Sequence, residues 1–351
     1  MSFGIKCAAE ALGYEFVSRL AADLNKDILE VYSHNLHPQT SLPGDLAKVV
    51  DYECDDSPSA RHFKKPPSLT SPDFIALKEG VDILIGGPPC QGHSDLNNHS
   101  RRDDPKNALY LLMPALAYCL KPKAVIVENV RAVVHDKQQV VQRTRNLLEG
   151  MGYQVDEAVV LASSIGVPQS RRRHFLVAVE KPVSEVRIRE IVEALHTEET
   201  RTVEWALAGI NPSVHDPIFD EPSELSDRNK KRVAWLFDND AFDLPDFKRP
   251  SCHKDKEHSY KSMYGRMKRG KPSQTITSGF GSPGQGRFIH PEEPRLITPH
   301  EAARLQFFPD SFHFVGASGT PKRTRLAEMI GNAVPPKLAY AIGLGVLGAL
   351  P

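Results

Sequence analysis

Short apolar runs bounded by turn residues divide the first half of the chain into alternating strands and helices. Ile83 to Ile85 is a continuous apolar run that ends at Gly-Gly-Pro-Pro, and Ala124 to Val127 is a second such run. Between them, Leu109 to Leu120 carries apolar residues at helical spacing. The order strand, helix, strand predicts two parallel strands joined by a crossover helix.

The same patterns predict further elements on either side of this unit. The chain from 42 to 71 is rich in proline, serine and charged residues and is predicted to be a loop. The regular alternation of strands and helices predicts an α/β fold. The other predicted elements are helices over Phe3–Leu12 and up to Gly152, and strands over Phe16–Ala22, Val155–Ala162 and His174–Val179.

Two reactive side chains follow the two parallel strands. Pro89 has no amide hydrogen to donate to a sheet, so pairing ends there and Cys90 lies just beyond the strand. Glu128 follows the second strand. Ligands gather at the carboxyl edge of such sheets, so a thiol beside an acid indicates covalent catalysis with proton transfer. An inert buried thiol is the alternative, and for a lone cysteine it is the more common one.

Composition and charge exclude several classes of protein. The 351 residues suffice for about two domains. The five cysteines are widely spaced with no Cys-x-x-Cys pair, which argues against a disulfide framework or a zinc site and suits a reducing cytoplasm. The missing Cys-x-x-Cys pair leads us to expect no metal. There is also no signal-peptide pattern and no apolar run of the ~20 residues that span a bilayer, so we expect no membrane segment.

Basic residues are concentrated in one part of an otherwise neutral chain. Lysine plus arginine and aspartate plus glutamate both number 44, so net charge gives no indication of a polyanionic partner. From Asp227 to Lys271, however, 13 basic residues face 7 acidic ones. An ordinary solvated surface can carry such a surplus of basic residues. A surface that contacts DNA phosphates, in contrast, requires one.

Four motifs in order resemble the DNA (cytosine-5-)-methyltransferase family: Gly-Pro-Pro-Cys-Gln from Gly87, Glu-Asn-Val from Glu128, Gln-Ser-Arg-Arg-Arg from Gln169, and Gly-Asn-Ala-Val-Pro-Pro from Gly331. The resemblance implies a Rossmann-like fold that uses S-adenosylmethionine, with a smaller, irregular, strand-rich target-recognition domain. It implies a catalytic domain over 1–182, the recognition domain over 183–272, and a last region, 273–351, whose final helix returns to the catalytic domain.

The resemblance also implies roles for individual residues. Cys90 would attack cytosine C6, Glu128 would hold N3, and Arg173 with Arg171 would bind O2. The residues implied to contact the DNA or the flipped base are Gln91, Ser94 and Asn129. Those implied to bind S-adenosylmethionine are Asp23 at the ribose, Leu24 and Asp45 at the adenine, and Pro89, Leu109 and Asn332. From the residues alone, Asp23 is equally well explained as a helix N-cap and Asp45 as a turn residue.

The beginning of the chain departs from the family pattern. A first strand and its Phe-x-Gly-x-Gly-Gly loop would precede the first helix, and here the sequence begins at Met1-Ser2-Phe3-Gly4. We therefore expect the second and fourth strands of the family fold to have no neighbour between them. There are three explanations. Either the start is set too far downstream, or another polypeptide supplies the segment, or the protein is a degenerate binding protein. The intact later motifs favour the first.

The resemblance implies a DNA cytosine-C5 methyltransferase that acts on double-stranded DNA in a restriction–modification context, with a possible partner endonuclease. The alternative from another class is a non-catalytic DNA-binding protein or one chain of a split enzyme. A tRNA methyltransferase is a lesser alternative, because that branch usually carries Cys-Phe-Thr where this chain has Cys-Gln-Gly at Cys90.

Overall fold

The computed structural model describes residues 1–77, 80–89, 109–181, 186–210, 216–251 and 262–350. Contacts divide the chain into two units. Unit 1 comprises Met1–Leu161, Arg172–His196 and Leu338–Pro351, and unit 2 comprises Ala162–Arg171 and Thr197–Lys337. The three domain ranges implied by the sequence have other bounds and stay a prediction.

Strands occur in unit 1 and helices in both units. The strands are β1 (Leu20–Asp23), β2 (Thr40–Pro43), β3 (Val50–Cys54), β4 (Phe63–Leu69), β5 (Ile83–Gly86), β6 (Ala124–Val130), β7 (Tyr153–Leu161) and β8 (Arg172–Glu180). The helices are α1 (Ser2–Ala11), α2 (Lys26–Leu36), α3 (Pro72–Ile75), α4 (Leu112–Leu120), α5 (Val140–Gly150), α6 (Ile188–Ala194), α7 (Val203–Leu207), α8 (Asp227–Asp238), α9 (Pro299–Leu305), α10 (Arg323–Asn332) and α11 (Pro336–Ala349).

The central sheet of unit 1 has the order β5-β6-β8-β7. β5 and β6 are parallel, with Ile83 opposite Ala124, and α4 lies between them in the chain, which confirms the predicted crossover. β6 pairs antiparallel with β8, which in turn pairs antiparallel with β7. The apolar run at the start of β6 is completely buried, because the strand lies inside the sheet with both faces covered.

The alternation of side chains along β6 separates the core from the polar edge. Val125 and Val127 pack into a core cluster that also contains Tyr110 of the crossover and Leu148 of α5. Side chains of a strand alternate between the two faces, so Glu128 points to the face opposite Val127. The core therefore fixes the direction of Glu128.

β1 and β2 form a separate parallel pair, with Leu20 opposite Thr40. Within the described residues no strand pairs with the outer edges of β1 and β5. Leu20 and Leu84 of these two strands nevertheless pack against the same apolar cluster of unit 1.

The predicted loop over 42–71 contains a β-hairpin, which corrects the sequence interpretation. β3 and β4 pair antiparallel with register shifts near Glu53, and the two prolines of β4 hide its strand character in the sequence. Such irregular pairing accommodates residues that cannot donate to a ladder. Tyr52 and Tyr118 both meet the Phe63 ring edge to face at 5.9 Å, so tertiary packing stabilises the hairpin.

The described residues of unit 2 contain helices, 3-10 turns and isolated bridges, and no strand of a named sheet. The sequence implies a strand-rich recognition domain, and the described part of unit 2 corrects this expectation. Its loops are held by hydrogen bonds from side chains to backbone instead of by strand ladders. No helix in the described part of the chain is long and apolar enough to cross a bilayer.

Candidate active site

An ion pair marks the carboxyl end of β6. Arg173 Nε lies 2.8 Å from Glu128 Oε1. The register of β6 and β8 sets Val130 opposite Arg173 and Glu128 opposite Phe175, so the two charged residues are diagonal neighbours on one face of the sheet. Glu128 is only 8% exposed, so the carboxylate is held away from bulk water and against one cation.

The loop after β5 lies beside this carboxylate. A Cβ built on Gly87 would lie 3.7 Å from Glu128 Oε2, which places the loop backbone in reach of the second carboxylate oxygen. One residue earlier, a Cβ on Gly86 would lie 2.2 Å from Met113 Sδ, so a larger residue there would force the Met113 side chain to shift. The loop can therefore approach the end of β6 closely.

Asn129 fastens the same loop to β6. Its Nδ2 donates to the carbonyl of Pro88 at 3.2 Å, and its Oδ1 accepts from the amide of Val130 at 2.8 Å. The side chain is 1% exposed. In this structure Asn129 holds the loop, whereas the sequence resemblance places it at the DNA or base, and that contact stays a prediction.

Three of the predicted site residues, Cys90, Gln91 and Ser94, lie outside the described residues. The last described residue before them is Pro89, which is exposed at the end of the loop held by Asn129. The structure therefore shows where the chain leads up to the predicted nucleophile.

The predicted adenosine-binding residues lie at the carboxyl ends of β1 and β2. Asp23 stands opposite Pro43, and its Oδ1 accepts from the amide of Asn25 at 2.7 Å. Asn25, rather than Asp23, is the N-cap of α2, so the helix-cap alternative for Asp23 is excluded. Leu24 is 77% exposed beside it.

Asp45 has a structural role that the sequence also suggested. Its Oδ1 accepts from the amide of Ala47 at 3.0 Å and caps the 3-10 turn Leu46–Lys48. Its contact with adenine stays a prediction, as do those of Leu109, which begins the described chain before α4, and Asn332, which is exposed at the end of α10 in unit 2.

Arg171 occupies the interior of unit 2. It is completely buried, and its Nη1 and Nη2 donate to the carbonyls of Ile276 at 2.8 Å and Gly331 at 2.9 Å. A Cβ on Gly331 would lie 2.1 Å from the amide nitrogen of Ser278, so a glycine is required where these segments meet. The guanidinium thus joins two segments of unit 2 that are distant in sequence.

Gln169 extends this arrangement and was not singled out from the sequence. Its Nε2 donates to Gln306 Oε1 at 2.9 Å and to the carbonyl of Leu305 at 3.1 Å, and its Oε1 accepts from the amide of Ile276 at 2.9 Å. We call Gln169, Arg171, Gln306 and the carbonyls they bind the unit 2 hub. In the sequence, its place at the start of the Gln-Ser-Arg-Arg-Arg motif is the signal that could have indicated it.

The residues that the structure describes form no group of three His, Cys, Asp or Glu side chains able to hold a metal ion.

Known proteins resemble the chain over nearly its whole length. The C-5 cytosine-specific DNA methylase family matches residues 3–346. The Type II methyltransferase M1.BsuMI of Bacillus subtilis is 42% identical over 344 residues, which cover 98% of this chain and 77% of that protein. The Type II methylase M.HgiDII of Herpetosiphon aurantiacus is 33% identical, over 75% of each chain.

Solved structures share the fold at lower sequence identity. The Dnmt2 methyltransferase of S. pombe matches with a TM-score of 0.66 at 18% identity, over 98% of this chain and 95% of its own. The methyltransferase EhMeth of Entamoeba histolytica matches with a TM-score of 0.63 at 17% identity, over 99% and 95%. At such identities the likeness is evidence for the fold alone.

Proposed function

The chain belongs to the C-5 cytosine-specific DNA methylase family, and on that premise we propose how its residues methylate cytosine C5 in double-stranded DNA. The observation that carries the proposal is the Glu128–Arg173 ion pair beside the Gly87–Pro88 loop. A carboxyl group and a guanidinium on one face of a sheet can form hydrogen bonds with the polar edge of a planar heterocycle.

Cys90 is the proposed nucleophile. Its thiolate adds to C6 of cytosine, and the electron pair of the C5–C6 bond shifts so that C5 becomes nucleophilic. C5 then takes the methyl group, a base removes the C5 proton, and the C6–sulfur bond breaks to restore the double bond and the thiolate. Asn129 holds the Pro88 carbonyl and so positions the loop that leads to this thiol.

Glu128 is proposed to control the charge that enters the ring. When Cys90 adds, negative charge develops at N3 and O2. The Glu128 carboxyl holds a proton at N3 and accepts from the exocyclic amine, which thymine lacks. Arg173 keeps that carboxyl in place and directs a donor to O2. The share of Arg171 in binding O2 stays a prediction, since two of its nitrogens already bind the carbonyls of Ile276 and Gly331.

The methyl donor is proposed to be S-adenosylmethionine. When bound, it would supply the methyl group from a positively charged sulfur, which would be left as a neutral thioether once the sulfur–methyl bond had broken. The residues at the ends of β1 and β2 fit an adenosine in kind, because the Asp23 carboxylate matches ribose hydroxyls and the exposed Leu24 offers an apolar surface to a purine ring. Asp45, Pro89, Leu109 and Asn332 complete the proposed set.

The target base must leave the helix to meet these groups. A stacked cytosine exposes neither C6 to a thiol nor N3 to a carboxyl, so the base is extruded at a cost of a few kcal/mol. Gln91 and Ser94 are proposed to contact the base or its phosphate. The Type II relatives support a partner restriction endonuclease, and the free thiols of Cys7, Cys54 and Cys119 suit a reducing cytoplasm.

Methyl transfer tests the proposal directly. The chain and its Cys90→Ala variant are incubated with labelled S-adenosylmethionine and either mixed-sequence duplex DNA or tRNA. We expect label at cytosine C5 of the duplex with the unaltered chain and none with the variant. Label in tRNA alone would refute the substrate, and label from the variant would refute the nucleophile.

A further inference from the structure

A cluster of aromatic and basic side chains lies on the outside of unit 2. Its members are Arg228, Lys231 and Trp235 of α8 and Phe247 and Lys248 of the 3-10 turn that follows, and we call it the aromatic–basic surface. The three α8 residues are spaced i, i+3 and i+7, which places them along one side of the helix. Two other residues of α8, at 233 and 236, are completely buried and anchor the opposite side.

Phe247 is the most prominent feature of this surface. Its side chain is 69% exposed, and its ring meets the Trp235 ring edge to face with centroids 6.3 Å apart. Lys248 Nζ lies 5.9 Å from the Phe247 centroid and 6.0 Å from that of Trp235, which is within the range of cation–π attraction. An exposed ring that rests on a half-buried ring and is flanked by a cation is a pattern of contact surfaces rather than of a core.

The exposed ring stands on an anchored turn. Arg232 Nε donates to the carbonyl of Lys248 at 3.2 Å and ties the turn to α8. Arg249 Nε donates to the carbonyl of Leu244 at 3.1 Å, and the Leu244 side chain is 1% exposed. Phe247 is therefore held outward by buried and hydrogen-bonded neighbours.

The cations of the surface have few acidic neighbours. Arg228, Lys231 and Lys248 form no ion pair with any carboxylate of the described residues. Acidic residues of the same stretch pair instead with other arginines: Asp240 with Arg266 at 3.2 Å, Asp246 with Arg249 at 3.8 Å, and Asp243 with Arg287. Within the described residues, the charges of these three cations are thus not neutralised by a carboxylate.

Lysines that have no carboxylate partner among the described residues, beside an exposed ring, favour a polyanion over a protein as the partner. Lysine is depleted at protein–protein interfaces, because its charge is costly to desolvate there. Phosphate groups, in contrast, bind lysine and arginine while apolar side chains insert at a base step or stack on a base. The charge and the rings are therefore both used if the partner is a nucleic acid.

We propose that the aromatic–basic surface binds the DNA substrate, with Lys231 and Lys248 on backbone phosphates and Phe247 as an apolar wedge against a base step. This inference rests on the proposed function, since it assigns a contact surface for the same substrate. It adds determinants that the four sequence motifs do not contain.

The phosphate contacts are tested by the salt dependence of binding. Affinity for a fluorescein-labelled mixed-sequence duplex is measured by anisotropy over a salt series. Each phosphate contact contributes about 0.9 to the slope of log affinity against log salt, so the Lys231→Gln/Lys248→Gln variant should lower the slope by about 2. The charge-matched control is Lys64→Gln/Lys65→Gln on β4 of unit 1, whose slope should equal that of the unaltered chain.

The wedge is tested by truncating the ring. Base–aromatic contacts contribute enough that Phe247→Ala should weaken duplex binding by about 5- to 100-fold. Phe247→Leu keeps an apolar side chain and should recover much of the loss. Because the ring is largely exposed, neither change should alter the thermal melting of the protein.

The reference is the unaltered chain in the same assays. Suppose that the unaltered chain binds and methylates the duplex. If Phe247→Ala and Lys231→Gln/Lys248→Gln then show the same affinity and the same salt dependence as the unaltered chain, this inference alone is overturned. If the unaltered chain neither binds nor methylates the duplex, the proposed function fails and this inference fails with it.

Discussion

Arg171 and Arg173 stand two positions apart in one run of arginines, and the structure employs them in opposite ways. Arg171 is completely buried in unit 2 and directs its donors at the carbonyls of Ile276 and Gly331. Arg173 stands at the start of β8 in unit 1 and pairs with Glu128. Arg172, between them, is exposed.

The difference lies in what each guanidinium faces. Backbone carbonyls are permanent partners, so Nη1 and Nη2 of Arg171 hold two loop segments together. The partner of Arg173 is a carboxylate at a strand end, where a ligand has room to approach. Being close in one motif is therefore poor evidence that two residues share a role. Four measurements test the difference between a structural and a catalytic use of polar side chains.

The largest effect is expected at the ion pair. Glu128→Gln keeps the size of the side chain but removes the group that we assign to proton control at N3. Methyl transfer to duplex DNA should fall by about 10²- to 10⁴-fold, the range for loss of an acid–base group. Melting temperature should also fall, because Arg173 loses its charged partner, but the variant should remain folded at the assay temperature. A variant that is unfolded there would instead make Glu128 a structural residue.

Arg171→Met should act mainly on stability. It leaves two buried carbonyls without a donor, at about 1–3 kcal/mol each, so we expect a loss of about 2–6 kcal/mol in unfolding free energy. Urea denaturation measures it. The matched control is Arg172→Met, an exposed neighbour, which should stay within about 0.5 kcal/mol of the unaltered chain. Equal unfolding free energies for both variants would show that the buried hydrogen bonds of Arg171 do not stabilise unit 2.

Gly331→Ala tests the close packing around the same hub. Its Cβ would meet the Ser278 amide at 2.1 Å, and such overpacking costs about 1–3 kcal/mol. Gly348→Ala, in α11 with nothing within 4 Å of the added atom, should be neutral or stabilising by about 0.5 kcal/mol. Equal melting temperatures for Gly331→Ala and Gly348→Ala would show that the segments around Gly331 have room for an added methyl group.

The smallest effect is a pH dependence of unit 2. Burial lowers the pKa of His290 below its ordinary 6.5, and its Nδ1 accepts from the amides of Glu292 and Glu293. The unfolded chain therefore binds the proton more readily than the folded one, so stability is kept above pH 6.5 and lost as pH falls below it. Melting temperature should decline between pH 7.5 and 5.5.

His290→Asn is the control for that decline, because its side-chain oxygen can accept similar hydrogen bonds without titrating. Its melting temperature should depend less on pH across the same interval. An identical decline in the unaltered chain and in His290→Asn would assign the effect to other groups.

Much of the catalytic half was predictable from local pattern. The apolar runs of β5 and β6 and the proline that ends pairing place a side chain at each strand end, and the period of two along β6 sets the face of Glu128. The hairpin of β3 and β4 was missed because it depends on contacts between Phe63 and rings distant in sequence.

By itself, the sequence determined the α/β class, the family and which residues are chemically able to act, since hydrophobic period and motif order are local properties of the chain. Only the tertiary structure decided that Arg171 binds carbonyls, that Asn129 holds the Pro88 loop and that Phe247 stands exposed among cations. Those outcomes depend on which distant segment meets each side chain, and a side chain's partner is a property of packing that no local pattern encodes.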